Sequence, residues 1–229
     1  MKKAFVFLSL LLSYSCLNNS SPINKIPDQF DYGIVKNETY QNSFFDMVIP
    51  FNKDWNLKSQ EEFEALTKEG VKELFGDNET TKTFVETSHI TTANLFATFK
   101  YNELDVITKE IVFNPSFSVI AENIKGAKEI KTVEDYLDLS KNLLKNAVVG
   151  YKFADNYETK IIDGISFSVL KIKADYSGVS FKQEIYATLM NDFCLFFTLS
   201  YANTINQSEL YDLLDSIKFN VSTKGKPKK

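Results

Sequence analysis

The sequence predicts an α+β domain, an α/β/α sandwich in which a central antiparallel sheet of about six to eight strands carries helices on both faces. The first observation behind this prediction is that the 229 residues include 20 phenylalanines and 11 tyrosines, which are typical of strands. The second is a pair of hairpin turn signals, Asp163-Gly164 and Ser177-Gly178, each between alternating segments. The third is a set of three segments in which apolar residues follow helical spacing. A hydrophobic content of 44% is enough for one core.

The first elements of the domain are predicted to be a hairpin followed by a helix. Ser59 begins the helix, because Glu62 stands three residues further on and completes a capping box. Gly76 ends it, since glycine readily adopts the conformation that closes a helix. The hairpin consists of strands at 32–35 and 43–50 around a polar turn at 36–38.

The middle of the chain is predicted to contribute three more strands and a second helix. Thr132 begins this helix with Asp135 in the capping position, and the helix is expected to end near Gly150. The strands are expected at 89–101, at 106–113, which alternates and pairs with the strand before it, and at 117–121.

The last part of the domain is predicted to be an antiparallel meander closed by a helix. The two turn signals separate long alternating segments, and an apolar segment continues the meander. The final helix begins near Asn206 or Ser208 and presents Leu210, Leu213, Leu214 and Ile217 to the sheet. The four strands are expected at 151–161, 167–176, 181–190 and 193–201.

The first sixteen residues, MKKAFVFLSLLLSYSC, form an export signal that ends at a candidate lipidation site. Two lysines precede an apolar segment that is too short to span a bilayer, which needs roughly 20 residues. The pattern resembles a bacterial lipobox in which Cys16 receives the lipid, although Ser13 stands where lipoboxes usually carry leucine. The alternative is ordinary cleavage after Ser15, which would leave Cys16 as a free thiol and the protein secreted or periplasmic.

These features divide the chain into four parts. Residues 1–15 are the predicted signal peptide, and residues 16–30 are a lipidated tether rich in Asn, Ser and Pro. Residues 31–220 are one globular domain, because no linker interrupts them. Residues 221–229 are predicted to be a disordered basic tail.

Charge and cysteine content exclude several functions. The chain has a net charge of −4 and its basic residues are all lysines, so the arginine fork that suits phosphate and guanine is missing. We therefore expect no nucleic-acid partner. Cys194 lies in an apolar segment and is expected to be a buried thiol, so the domain is predicted to hold together without a disulfide.

The sequence contains no motif for catalysis, cofactor binding or metal binding. His89 is the only histidine, and a single histidine without a cysteine pair is not a metal-site pattern. No nucleophile elbow, phosphate loop or dinucleotide fingerprint is present. Trp55 is the one candidate for binding a partner, since aromatic residues dominate interface hot spots; the alternative is that it closes one end of the core.

Several short motifs follow one another along the chain: Ile49-Pro50, Asp54-Trp55, Asn114-Pro115-Ser116, Asp135-Tyr136-Leu137, Gln183-Glu184-Ile185-Tyr186 and the closing segment from Leu214 to Phe219. Their order resembles the PsbP-like superfamily, which includes the photosystem II protein PsbP, Mog-type Ran-release factors and bacterial envelope proteins. The resemblance covers roughly residues 31–220 and implies an α/β/α sandwich. Members act mostly as binding or assembly modules, and the photosynthetic and Ran-binding roles are not carried over.

The sequence thus favours a membrane-tethered, non-enzymatic binding or assembly-accessory lipoprotein of the bacterial cell envelope. Its expected partners are the membrane, through the lipid on Cys16, and a protein of the envelope. Two alternatives stay open: an envelope enzyme whose carboxylates meet only in three dimensions, and an immunity- or adaptor-type protein.

Overall fold

A computed structural model describes residues 26–76 and 91–219. The predicted signal peptide, Cys16, His89 and the predicted basic tail lie outside the described residues. The described elements are, in chain order, β1 (Ile34–Lys36), β2 (Thr39–Asn42), β3 (Met47–Pro50), β4 (Asn56–Leu57), α1 (Gln60–Phe75), β5 (Thr91–Phe99), α2 (Glu103–Thr108), β6 (Ser116–Asn123), α3 (Val133–Leu144), β7 (Gly150–Phe153), β8 (Glu158–Ile162), β9 (Ile165–Tyr176), β10 (Val179–Met190), β11 (Phe193–Tyr201), α4 (Thr204–Ser216) and β12 (Lys218–Phe219).

The described strands form a large antiparallel sheet and a small one. The large sheet has eight strands in the order β4-β5-β6-β11-β10-β9-β7, with β8 pairing a second stretch of β9. The small sheet has the order β1-β2-β3-β12. This arrangement confirms the predicted α+β class and its central antiparallel sheet.

Helices α1 and α3 cover the first face of the large sheet. Phe63 and Leu74 of α1 and Tyr136 of α3 are each at most 1% exposed and belong to one hydrophobic cluster. The Tyr136 ring lies 5.9 Å from that of Phe196 in β11. Side chains of these two helices therefore close this face of the sheet.

Helix α4 and the small sheet together cover the second face. Leu210 and Leu214 of α4 are buried in a cluster with a row of three stacked rings. Phe197 is the middle ring, 5.9 Å from Phe117 and 5.1 Å from Phe167. Helices thus lie on both faces, as predicted, and the small sheet shares the second face with α4.

The capping signals in the sequence produce the expected helix starts. The Ser59 hydroxyl accepts a bond from the Glu62 backbone N–H at 3.2 Å, and the Glu62 carboxylate accepts the Ser59 N–H at 2.7 Å. Thr132 and Asp135 form the same reciprocal pair at the start of α3. Each box supplies partners for backbone donors that a helix start leaves unpaired.

The predicted strand at 106–113 is wrong, because its first part lies in helix α2. The Asn102 side chain accepts the Asp105 N–H at 2.8 Å and caps this short helix. The Val106 N–H then bonds to the Asn102 carbonyl, 3.0 Å away, so the backbone closes locally instead of pairing with β5. The alternation of this segment is therefore not the alternation of a sheet strand.

Two longer predicted strands differ in the structure: the first is shortened and the second is divided. The predicted strand at 43–50 begins only at Met47, because Asn42 accepts the Phe45 N–H at 3.0 Å and Asp46 has a φ of 49°. The predicted strand at 151–161 is split into β7 and β8, both of which pair with β9. Two bounds also differ: α3 ends at Leu144 rather than near Gly150, and α4 begins at Thr204.

Candidate functional site

A groove of about 300 Å³ lies between the loop after β3 and one side of α4. The loop is held in shape locally: Asn52 accepts the Asp54 N–H on its side chain at 2.9 Å and the Trp55 N–H on its carbonyl at 3.0 Å. The Phe51 N–H bonds to the Glu38 carbonyl at 3.0 Å, which fastens the loop to the β1–β2 turn. The groove is lined by Pro50, Phe51, Asn52, Trp55, Glu209, Asp212 and Leu213.

Trp55 is a buried member of this groove. Its side chain is 8% exposed and belongs to the hydrophobic cluster of the second face. Trp55 therefore both packs in the core and lines the groove. Whether it binds a partner stays a prediction.

The rim of the groove is acidic. Glu209 is held by Lys100, whose Nζ lies 2.6 Å from the carboxylate. Asp212, one turn further along α4, is exposed and forms no ion pair with a described residue. The groove thus combines aromatic and aliphatic walls with one exposed carboxylate that has no ion-pair partner among the described residues.

Helix α4 is fixed on its other side by a buried carboxylate, that of Glu184 in β10. The carboxylate is 2% exposed and accepts a bond from the Tyr186 hydroxyl at 2.6 Å, from the Tyr211 hydroxyl at 2.8 Å and from the Tyr201 hydroxyl. Gln207 adds an amide donor at 3.3 Å. We call these five residues the Glu184 cluster; two of them, Gln207 and Tyr211, belong to α4.

The Glu184 cluster keeps its tyrosines protonated. Burial, and next the bond to the Glu184 carboxylate, raise the pKa of Tyr211 above its usual value, and the same two causes raise the pKa of Tyr186. All three hydroxyls therefore act as donors to the side chain of Glu184. The cluster positions the helix that forms one wall of the groove.

A second buried carboxylate, Glu122 in β6, lies on the first face of the sheet. It is 0% exposed, and one oxygen accepts the Tyr136 hydroxyl at 3.0 Å. Its other oxygen has no hydrogen-bond partner among the described residues. Burial raises the pKa of Glu122 to about 8, because a charged carboxylate is poorly solvated in an apolar core.

Cys194 lies directly opposite Glu122 in the sheet register and is equally buried. Burial raises the pKa of its thiol well above the usual range, with the Glu122 charge as a smaller cause. A thiol in this state is neither charged nor reachable by a substrate, so the prediction of a buried structural cysteine fits its position.

A second depression lies beside α3 and is lined mostly by charged and amide side chains. Lys141 stands 4.3 Å from the centre of the Tyr157 ring, and the Tyr157 hydroxyl donates to Asp138 at 2.5 Å. These groups satisfy one another, so the depression offers few unused polar atoms. It is lined by Asp138, Lys141, Asn142, Lys145, Phe153, Ala154 and Asp155.

The part of the chain that the structure describes holds no group of three or more metal-ligating side chains. Among the helices within 26–76 and 91–219, none is both long and apolar enough to cross a membrane. Sequence reasoning had singled out Trp55 but not the Glu184 cluster. The sequence does contain a signal for this cluster: Glu184 stands at an inward position of an alternating strand. Gln207 and Tyr211 are four residues apart and so lie on one face of a helix.

No family model and no curated protein matches the chain. Among solved structures, it is similar to cyanobacterial PsbP (CyanoP) from Synechocystis sp. PCC 6803, at 13% identity and a TM-score of 0.46, over 87% of this chain and 99% of that one. It is also similar to LpqN, a protein involved in cell envelope biogenesis of Mycobacterium tuberculosis, at 11% identity and a TM-score of 0.40, over 75% and 82%. Both likenesses concern the fold alone.

Proposed function

We propose that this protein is a lipid-anchored, non-enzymatic binding module of the bacterial cell envelope, which holds a protein partner in the groove beside Trp55. The observation that carries the proposal is the form of this groove. Aromatic and aliphatic walls with a carboxylate at the rim suit a side chain that is apolar along its length and cationic at its tip. A lysine or arginine of a partner protein has this form.

The positions of the buried carboxylates favour binding over catalysis. Acid–base chemistry by two carboxylates needs both groups beside one reacting atom. Glu122 and Glu184 instead face opposite sides of the sheet, in separate hydrophobic layers. Each is enclosed by side chains of its own face, so neither reaches the groove or the other carboxylate.

Anchoring is supported by the sequence before the domain. Cys16 follows the apolar segment at the position where bacterial lipoproteins carry their lipid. Phe30, at the end of the predicted tether, is buried against the second face, so thirteen residues lie between Cys16 and this buried ring. Several acyl chains hold a protein on a bilayer stably, whereas one is marginal.

Replacing Cys16 by serine is expected to move the protein from the membrane fraction to the soluble fraction of the envelope. The reason is that only a cysteine thiol accepts the diacylglycerol group. Fractionation, together with labelled palmitate, measures the change. If the variant still sediments with membranes and the unmodified protein takes up no palmitate, the anchoring proposal fails.

A photo-crosslinking residue placed at Asn52, on the rim of the groove, is expected to give one discrete adduct in intact cells. The same residue at the exposed Lys173 on β9 should give none. Changing Asp212 to lysine should remove most of the adduct, because the rim then repels a cationic side chain.

The matched control for that charge reversal is Asp155→Lys, an exposed aspartate on the opposite side of the sheet, which should leave the adduct unchanged. Equal adducts from Asn52 and Lys173 would contradict a specific groove. So would an adduct that is insensitive to Asp212→Lys.

A further inference from the structure

Helix α2 begins beside the groove, where ion pairs connect its start to both walls. Glu103, its first residue, has its carboxylate 3.8 Å from the Nζ of Lys58, which follows Trp55 by three residues. Lys100, three residues before Glu103, contacts Glu209 on the α4 wall at 2.6 Å. The first turn of α2 therefore lies close to the loop wall and to the helix wall of the groove.

This short helix presents apolar side chains to solvent. Leu104 and Ile107 are 69% and 74% exposed, and no residue of α2 is buried. Positions three apart lie on the same face of a helix, so the two side chains form one apolar patch. An exposed apolar patch beside a groove is typical of an interaction surface.

Helix α4 continues the apolar surface beyond the groove. Ile205 is 70% exposed, and Glu209 and Asp212 follow it by four and seven residues, so all three lie along one face of α4. Each residue adds about 1.5 Å to the helix, so this row is roughly 10 Å long. We call the groove together with Ile205, Leu104 and Ile107 the extended groove.

The segments that form the extended groove carry an excess of negative charge. Residues 51–58, 100–112 and 205–213 contain six carboxylates and four lysines. Three of these lysines are already held in ion pairs with carboxylates of the same segments. A partner segment with positive charges and with its apolar residues on one face therefore complements this surface.

We propose that the partner segment in the groove is a basic amphipathic helix, which places one cation at Asp212 and its apolar residues on Ile205, Leu104 and Ile107. The inference rests on the proposed binding in the groove and adds the form of the partner. Helices α2 and α4 pair their backbone groups internally, so an extended chain finds no strand edge on them. A helix needs no such edge, because its own backbone is satisfied and one of its faces supplies the contacts.

The test uses the full chain with Cys16→Ser, which carries no lipid, and dye-labelled synthetic peptides. The first peptide consists of lysine and leucine with the leucines on a single helical face. The second has the same composition with the leucines spread around the helix, and the third has glutamate in place of lysine. Binding is measured by the fluorescence anisotropy of the dye, and the emission of Trp55, the single tryptophan, reports whether the peptide reaches the groove.

We expect the first peptide to bind at least about tenfold more tightly than the other two. Changing Leu104 and Ile107 together to serine should weaken this binding at least about tenfold, because two apolar contacts are lost. The matched control changes Ile34 and Ile161 to serine, which are 62% and 58% exposed on β1 and β8, and should leave the affinity almost unchanged. Equal binding of the first two peptides, or equal effects of the two double changes, would overturn the proposal.

Photo-crosslinking in intact cells separates this inference from the function of the groove itself. A photo-crosslinking residue at Ile107 should give an adduct with the same protein as the one at Asn52. An adduct at Asn52 that depends on Asp212, with none at Ile107 and no preference among the peptides, would overturn the helical partner and leave the groove function standing. The absence of any adduct at Asn52 would instead contradict the groove function, and the inference would fall with it.

Discussion

Replacing Glu184 by alanine is expected to lower the free energy of unfolding by about 2–5 kcal/mol, since buried donors that lose their acceptor cost about 1–3 kcal/mol each. The hydroxyls of Tyr186 and Tyr201 are almost fully buried and share this one carboxylate. Water cannot replace the lost oxygen atoms without opening the contact between α4 and the sheet. Urea unfolding, followed by the fluorescence of the single tryptophan, Trp55, measures the change.

Two variants separate the cluster from a simple packing effect. Tyr211→Phe removes a single donor that is partly exposed, and its cost should be near 1 kcal/mol. Glu184→Gln keeps the shape of the side chain but offers fewer acceptor positions. Its loss of unfolding free energy should therefore lie between those of Tyr211→Phe and Glu184→Ala. If Glu184→Ala costs no more than Tyr211→Phe, the cluster does not hold α4 in place.

The stability of the protein is expected to fall as the pH rises from about 5 to above 8, and Glu122→Gln should remove this dependence. The pKa of Glu122 is raised from 4.5 to about 8 in the folded protein, so the folded state keeps a proton that the unfolded chain has lost. A state that binds more protons is favoured at low pH. The stabilisation is therefore complete below the unfolded pKa and is lost as the pH passes through about 8.

The slope of this loss can reach about 1.4 kcal/mol per pH unit for a single group. Glutamine has the same shape and no charge, so the variant should match the unchanged protein near pH 5 and be more stable than it above pH 8. Urea unfolding at a series of pH values gives the difference, in which other titrating groups cancel. Glu69→Gln, at an exposed position of α1, is the control and should leave the pH dependence intact. If the difference in unfolding free energy between Glu122→Gln and the unchanged protein does not vary with pH, Glu122 is not a buried, protonated carboxyl.

Local signals in the sequence were sufficient for much of the fold. Ser59 and Thr132 begin helices because each bonds to a residue three positions away, and such bonds are visible as spacing. Asp163-Gly164 and Ser177-Gly178 form turns in which all four residues have positive φ, a conformation that these residue types tolerate. The strand Phe193–Tyr201 has the bounds that its apolar run predicts.

Features made by distant residues could not be predicted in the same way. The bond between Glu184 and Tyr211 joins residues 27 positions apart, and it depends on how α4 lies on the sheet rather than on spacing. The groove brings Trp55 beside Leu213, which only the packed fold can do. Strand β12 has two residues and exists because β3 offers it an edge. Asn102 is a local signal for a helix start, but the alternating apolar and polar residues at 106–113 predicted a strand instead.

The division of the predicted strand at 151–161 also affects how readily the folded protein aggregates at high concentration. An exposed sheet edge is a template on which another chain can add a strand, and long flat edges promote aggregation. Here nine of the twelve residues of β9 pair with two short strands, each with a lysine, and the chain departs from the edge between them. A second molecule finds only brief stretches of unpaired backbone on this side, each beside a positive charge. The interruption of the strand thus protects the domain against joining its neighbours edge to edge.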